Sequence, residues 1–310
     1  LVLGVLAAIS VLLALLLAAV IYWGTTTQGL QQLISLGQQW LPGELRIENV
    51  EGNLLDKVSL QRVSYQNESM DLSFQRLQWA WSPKALLDGL IDIQSVLVER
   101  PTITLHSIAD KAASVEPPTK PLFPLSMPDI TLPLQLRIDN LQLTQLLFNQ
   151  AKQTNQPEPE PLLVDSLSLQ IHSAAQAIIV DKLHLSAQQG SLKFSTQISG
   201  QIQPQSDYPF VLSTQWEVLQ PEQKSLVGNG RLSGGLSNLT MQQQLSGLFD
   251  GGVSMLLRLS ADTLFIDDLK IIQSGQGAEL SLNGEVSDLQ KAAKVALDGR
   301  WKNLHYPLQG

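Results

Sequence analysis

The sequence contains no cysteine, which excludes disulfides, thiol catalysis and cysteine-ligated zinc. Charge is scarce as well. Asp, Glu, Lys and Arg make up 15% of the 310 residues, against about a quarter in an ordinary soluble protein. The net charge is −8, and the 20 Lys and Arg form no block, which argues against a nucleic-acid partner because phosphate binding depends on clustered cations. Catalytic spacings are missing too. The four histidines, His106, His172, His184 and His305, lie far apart with no HExxH, and no serine stands in GxSxG. The run GNGRLSGG at 228–235 lacks the Lys and the following helix of a phosphate loop, and it reads as a β-hairpin turn. No enzyme activity, cofactor or metal site is expected.

What the sequence does have is aliphatic surface. Apolar residues are 44% and aromatics only 5%, with Gln, Ser and Thr filling most polar positions. The first 23 residues carry no charge and would span about 35 Å as a helix, enough to cross a bilayer. A cleaved signal peptide would have a shorter apolar region ending in small residues. This run ends in Tyr22-Trp23, which suits an interfacial aromatic belt, so a transmembrane anchor is expected. No Lys or Arg occurs between Gly24 and Leu45, which puts the rest of the chain on the non-cytoplasmic side. The chain opens on Leu rather than Met, and upstream residues are expected to be missing.

Residues 28–41 place Leu30, Leu33, Ile34 and, less perfectly, Trp40 and Leu41 on one helical face, with Thr26 or Thr27 as cap and Pro42-Gly43 as stop. Such a helix would lie beside the membrane or plug the end of a β-sheet core, since both bury the same stripe. From Leu45 on the period is two, giving a succession of candidate strands from 45–50 to 293–305. The run SPKALLDG at 82–89 interrupts them as a two-turn helix, with Ser82 as cap and Gly89 at its end. The alternation slips between Phe74 and Leu77 and between Ile138 and Leu141, as bulges would make it do. Proline-rich stretches at 113–129 and 149–162 read as extended loops. The expected order is an anchor at 1–23, a juxtamembrane helix at 24–43, a first β unit at 44–112, the loop at 113–129 and further β repeats at 130–310.

A short repeat runs through these strands: IDNLQL at 138–143, VDSLSL at 164–169, VDKLHL at 180–185 and IDDLKI at 266–271. Its aspartates, Asp139, Asp165, Asp181 and Asp267, lack the neighbouring oxygens of a calcium site and read as turn residues at strand starts. After the last two come GSLKFSTQISGQI and GAELSLNGEV, each with an internal or closing Gly. Repetition of this kind means stacked β-hairpin units that bury a face against neighbours. A second sheet, a helix layer or a bound apolar ligand would each cover the oily face equally well.

The stretch GTTTQGLQQLISLGQQWLPGELRIENVEGNLLDKVSLQRVSY at 24–65, with its Val50-Glu51-Gly52-Asn53-Leu54 step, and LQWAWSPKALLDGLIDIQSVLVERPTITL at 77–105 resemble the start of the TamB family. The later strands match only in style, and the chain looks like an N-terminal fragment of a longer protein. The resemblance implies an all-β fold, a long twisted, repetitive sheet forming an open, taco-like groove with an apolar interior. It also implies an inner-membrane anchor with the bulk of the chain in the periplasm of a Gram-negative bacterium. The implied function is a conduit for phospholipids between inner and outer membrane within the translocation and assembly module, with the outer-membrane subunit TamA as a partner met through a C-terminal region absent here. Assistance to β-barrel assembly by strand augmentation is the alternative. On the alternation, the expected lipid-facing residues are Leu72, Phe74, Leu77, Trp79, Ile91, Ile93, Leu132, Leu134, Leu136, Ile138, Leu167, Leu169, Leu192, Phe194, Leu257, Leu259, Leu280 and Leu282.

Overall fold

A computed structural model describes residues 24–40, 42–106, 129, 134–149, 160–205, 207–275, 277–289 and 293–303. The expected membrane-spanning segment, Leu132, His305 and most of both proline-rich loops lie outside this set. Among the described residues no helix is long and apolar enough to cross a membrane. The chain is all-β. Among the described residues, the α-helix α1 (Thr27–Trp40) and a short 3-10 helix (Pro83–Asp88) accompany sixteen strands. Contacts divide the chain into two compact units, Leu1–Ser107 with Leu136–Leu163, and Ile108–Gln135 with Val164–Gly310.

The first unit holds β1 (Glu44–Gly52), β2 (Lys57–Gln66), β3 (Met70–Trp81), β4 (Leu90–Glu99), β5 (Thr102–Leu105) and β6 (Gln135–Asn149). Their order is β1-β2-β3-β4-β6, with β5 antiparallel to β3 and parallel to β6, so the sheet is mixed. Alternating aliphatic and Ser or Gln residues suit a pleated surface with one dry face. The slip expected between Phe74 and Leu77 is shared by three strands: Ile47 pairs with Val63 and Val63 with Phe74, whereas Val50 pairs with Leu60 and Leu60 with Leu77. Between these pairs Arg62 adopts a left-handed φ of 49° and forms an ion pair with Glu48. The slip therefore turns both sets of apolar residues to one side.

Helix α1 covers that side. Thr26 caps it, its Oγ1 accepting from Gly29 N at 3.1 Å, which satisfies a first-turn donor. Leu30 and Ile34 pack against Val58, Leu60 and Val63, with Phe74, Leu77 and Trp79 around them. Of the two placements open to this helix, its described side chains fit the one on the sheet. The 82–89 segment is a 3-10 helix ended by Gly89 at φ 75°, and Ser82 contributes its carbonyl rather than a side-chain cap, accepting from Ala85 N at 3.1 Å.

The second unit holds β7 (Leu162–Ala174), β8 (Ala177–Gln189), β9 (Leu192–Ile202), β10 (Phe210–Leu219), β11 (Leu226–Gly234), β12 (Asn238–Gly247), β13 (Gly251–Ser260), β14 (Thr263–Gln273), β15 (Glu279–Ser287) and β16 (Lys294–Lys302). They follow one another in chain order as a meander. Among the described residues they belong to one continuous sheet.

The repeated aspartates are corrected by this geometry. Asp139, Asp165, Asp181 and Asp267 lie inside strands, not at strand starts. In β8, Val180 pairs with Gly200 and Leu183 with Ile198, so Asp181 and Lys182 together oppose Ser199. In β14, Ile266 pairs with Gly284 and Leu269 with Leu282, so Asp267 and Asp268 oppose Asn283. Two residues against one is a β-bulge, and it keeps the apolar residue before the Asp and the Leu after it on the same face. The facing glycines are required. Gly200 and Gly284 have φ of 148° and 149°, and a Cβ on either would lie 2.1 Å from a carbonyl oxygen of the next strand.

Candidate functional site: an apolar sheet face

Residues directly opposite one another in an antiparallel pair share a face, so the register alone assembles the surface of the second unit. One line runs Leu185, Thr196, Trp216, Gly228, Leu245, Gly251. Another runs Leu239, Leu257, Ile266, Gly284, Leu297. Between them lie Met241 with Met255 and Leu269 with Leu282, and Phe194 with Val218 flanks the first line on its other side. The opposite face is polar, with lines such as Gln197, Gln215, Asn229, Gln244. Its bulge carboxylates are partnered across strands. Asp181 Oδ2 lies 2.7 Å from His172 Nδ1, and Asp267 takes both Nε and an amino nitrogen of Arg258 at 3.1 Å while that guanidinium stacks on Phe265.

The expected lining residues fall as follows. Leu192, Phe194, Leu257, Leu259, Leu280 and Leu282 share the apolar face of the second unit. In the first unit Leu72, Phe74, Leu77 and Trp79 share the side that α1 covers at its β1 end, and Ile93 joins them by pairing with Trp81 across a bulge. Ile91 has the parity of Ile93, whereas Asp92 between them is buried and accepts from Arg137 Nε at 2.9 Å. That bond turns Leu136 and Ile138 to the side of Ile91 and Ile93. It also holds the Arg137 guanidinium above its ordinary range, reinforced by the charges of Asp92 and Asp139. Leu134, Leu167 and Leu169 are half-buried.

Across β9–β13 the face sinks into a cavity of about 510 Å³, walled by Phe194, Trp216, Met241, Leu245 and Val253 among others. Its floor carries a polar brace. Gln243 donates Nε2 to Thr214 Oγ1 at 2.9 Å and accepts from the indole N–H of Trp216 at 3.2 Å, and Thr196 Oγ1 donates to the Gln215 carbonyl at 3.1 Å. All three of Thr196, Thr214 and Gln243 are buried, yet each polar group has a partner, so the brace avoids an unsatisfied-group penalty while fixing the Trp216 ring. The alternation did not reveal this floor, because glycines occupy the inward positions of β11. GNGRLSGG is accordingly corrected from a turn to a strand interior. The Trp216 ring lies over Gly228, where a Cβ would come within 2.2 Å of it, and Gly230 meets the Gln242 carbonyl equally closely. Only glycine leaves room at both positions.

Among the described residues no group of three His, Cys, Asp or Glu stands close enough to hold a metal ion. No curated protein and no solved structure matches the chain. The model of the TamB N-terminal domain matches it at residues 15–128 and 109–267, most of its length. With the all-β meander and its aliphatic face beneath that match, the chain belongs to the TamB family.

Proposed function

We propose that the apolar face binds phospholipid acyl chains and lets them slide along the sheet, so that the chain serves as a periplasmic conduit between inner and outer membrane. The observation that carries this reading is the continuous apolar face of the second unit, left without burial over most of its strands. It is aliphatic over successive strands, and Phe194, Met241 and Leu257 stay half-buried on it rather than buried. An acyl chain laid there recovers about 0.8 kcal/mol per methylene removed from water, the same driving force that a second sheet would exploit. Head groups stay in water at the rim, no catalytic step is involved, and no cofactor is needed. The trough is open in this reading, and the anchor at residues 1–23 holds it to the inner membrane, with TamA as the outer-membrane partner that family membership suggests.

A photo-crosslinking amino acid at Met241 or at Gln242, in cells, tests the proposal. The two positions are adjacent in β12 and occupy opposite faces. Phospholipid adducts at 241 and not at 242 are the expected result, while adducts at neither or equally at both would sink it. Assembly of barrel proteins by strand augmentation is the second reading. It is favoured by β1, which opens the strand order with β2 as its one strand neighbour among the described residues. Crosslinks from 241 to unfolded barrel polypeptides in place of lipid would support it.

A further inference from the structure

One end of the first unit gathers three features. Gly24, where the uncharged 23-residue run stops, accepts a hydrogen bond on its carbonyl from Leu54 N at 2.8 Å. Thr27 Oγ1 donates to the Gly52 carbonyl at 3.1 Å, so the start of α1 is tied to the β1–β2 turn. The β3–β4 connection lies beside that turn, because the Trp81 indole N–H donates to the Leu54 carbonyl at 2.6 Å and Trp81 N to the Asp56 carbonyl at 3.2 Å. On this connection the 3-10 helix buries none of its residues. Leu87 is 90% exposed, and Leu86 and Leu55 are 39% exposed each.

A lone exposed leucine is ordinary, but leucines converging on the point where an apolar, uncharged run joins the fold are not. We infer that Leu55, Leu86 and Leu87 form a membrane-docking tip that seats this end of the sheet in the interfacial layer of the bilayer its own chain enters. The partner is a lipid surface recognised by apolar insertion. Charge does not drive it, since Lys57 and Lys84 are offset on the same two turns by Asp56 and Asp88. Docking sets the sheet on end. Strand β3 alone, twelve residues, carries the opposite β2–β3 turn about 40 Å away at 3.3 Å per residue.

The inference rests on the membrane-spanning reading of residues 1–23 and not on lipid transfer. The absence of native cysteine allows a clean test. The full chain, as Leu87→Cys or as Ser69→Cys at the opposite turn, is labelled with an environment-sensitive fluorophore and reconstituted into phosphatidylcholine vesicles containing a lipid quencher placed near the glycerol. Both positions are exposed, so neither label disturbs packing. The expected result is a blue-shifted, quenched signal at 87, an unquenched signal at 69, and no change in either with salt or added anionic lipid. Alkali-resistant chain with an unquenched label at 87, or equal quenching at 69, overturns the docking tip alone. Release of the chain by alkali overturns the spanning reading and the tip with it.

Discussion

Two stretches of similar aliphatic sheet meet different fates in this molecule. Under α1, Val58, Leu60 and Val63 fall to 0%, 8% and 5% exposure because Leu30 and Ile34 lie on them. In the second unit the same kind of face leaves Phe194, Met241 and Leu257 half-buried. The alternation is alike in both, so it specifies a face that avoids water without specifying what lies on it. Where protein supplies the cover, the face behaves as an ordinary core. Where no described helix lies on it, the floor of the cavity is closed by polar residues that satisfy each other, Thr214 and Gln243.

The contrast can be broken by truncation. Leu30→Ala should cost about 3 kcal/mol, because the helix cannot collapse into the gap it leaves. Leu257→Ala should cost about 1 kcal/mol, since a face without protein above it leaves no enclosed cavity. Hydrogen exchange of β2 and β13 amides in the two variants would read each loss locally, and equal losses would mean that the second face is covered as well. Gly284→Ala comes next, at about 2 kcal/mol, from a strained φ and a Cβ driven against the Ala296 carbonyl. Gly275, with positive φ but open space around it, should tolerate alanine at about half that cost. Urea unfolding of the pair isolates the part due to close strand approach. The smallest stability effect, within about 0.5 kcal/mol, belongs to Leu256→Arg on the water-facing side. The neighbouring Leu257→Arg should abolish lipid adducts at 241 while Leu256→Arg preserves them, and loss in both would show that the two faces are not functionally distinct.

Much of this was legible from residue order. Alternation located the strands, the slip at Phe74 and Leu77 announced a real irregularity, and Thr26 and Pro42 bracketed α1. Less legible was anything that depends on a neighbour brought in from elsewhere. The Asp-x-Leu motif looks like the start of a strand because Asp favours turns, and only the register with Gly200 or Gly284 exposes it as a bulge. Gly228 and Gly230 conceal the inward positions of β11, since glycine carries no hydropathy signal while making room for the Trp216 ring. An apolar helical stripe such as Leu30 and Ile34 reads the same against lipid as against a sheet, so its partner had to come from packing.

The bulges also bear on how such a chain can grow. A single residue gained or lost in a β-strand exchanges inside for outside at every position beyond it, a frameshift in facing rather than in coding. An Asp-centred bulge absorbs one such residue and restores the original sense within the same strand. Hairpins of unequal length can then be duplicated, trimmed or spliced in series without any of them inverting its greasy side, which makes the length of the surface free to vary while its polarity stays fixed.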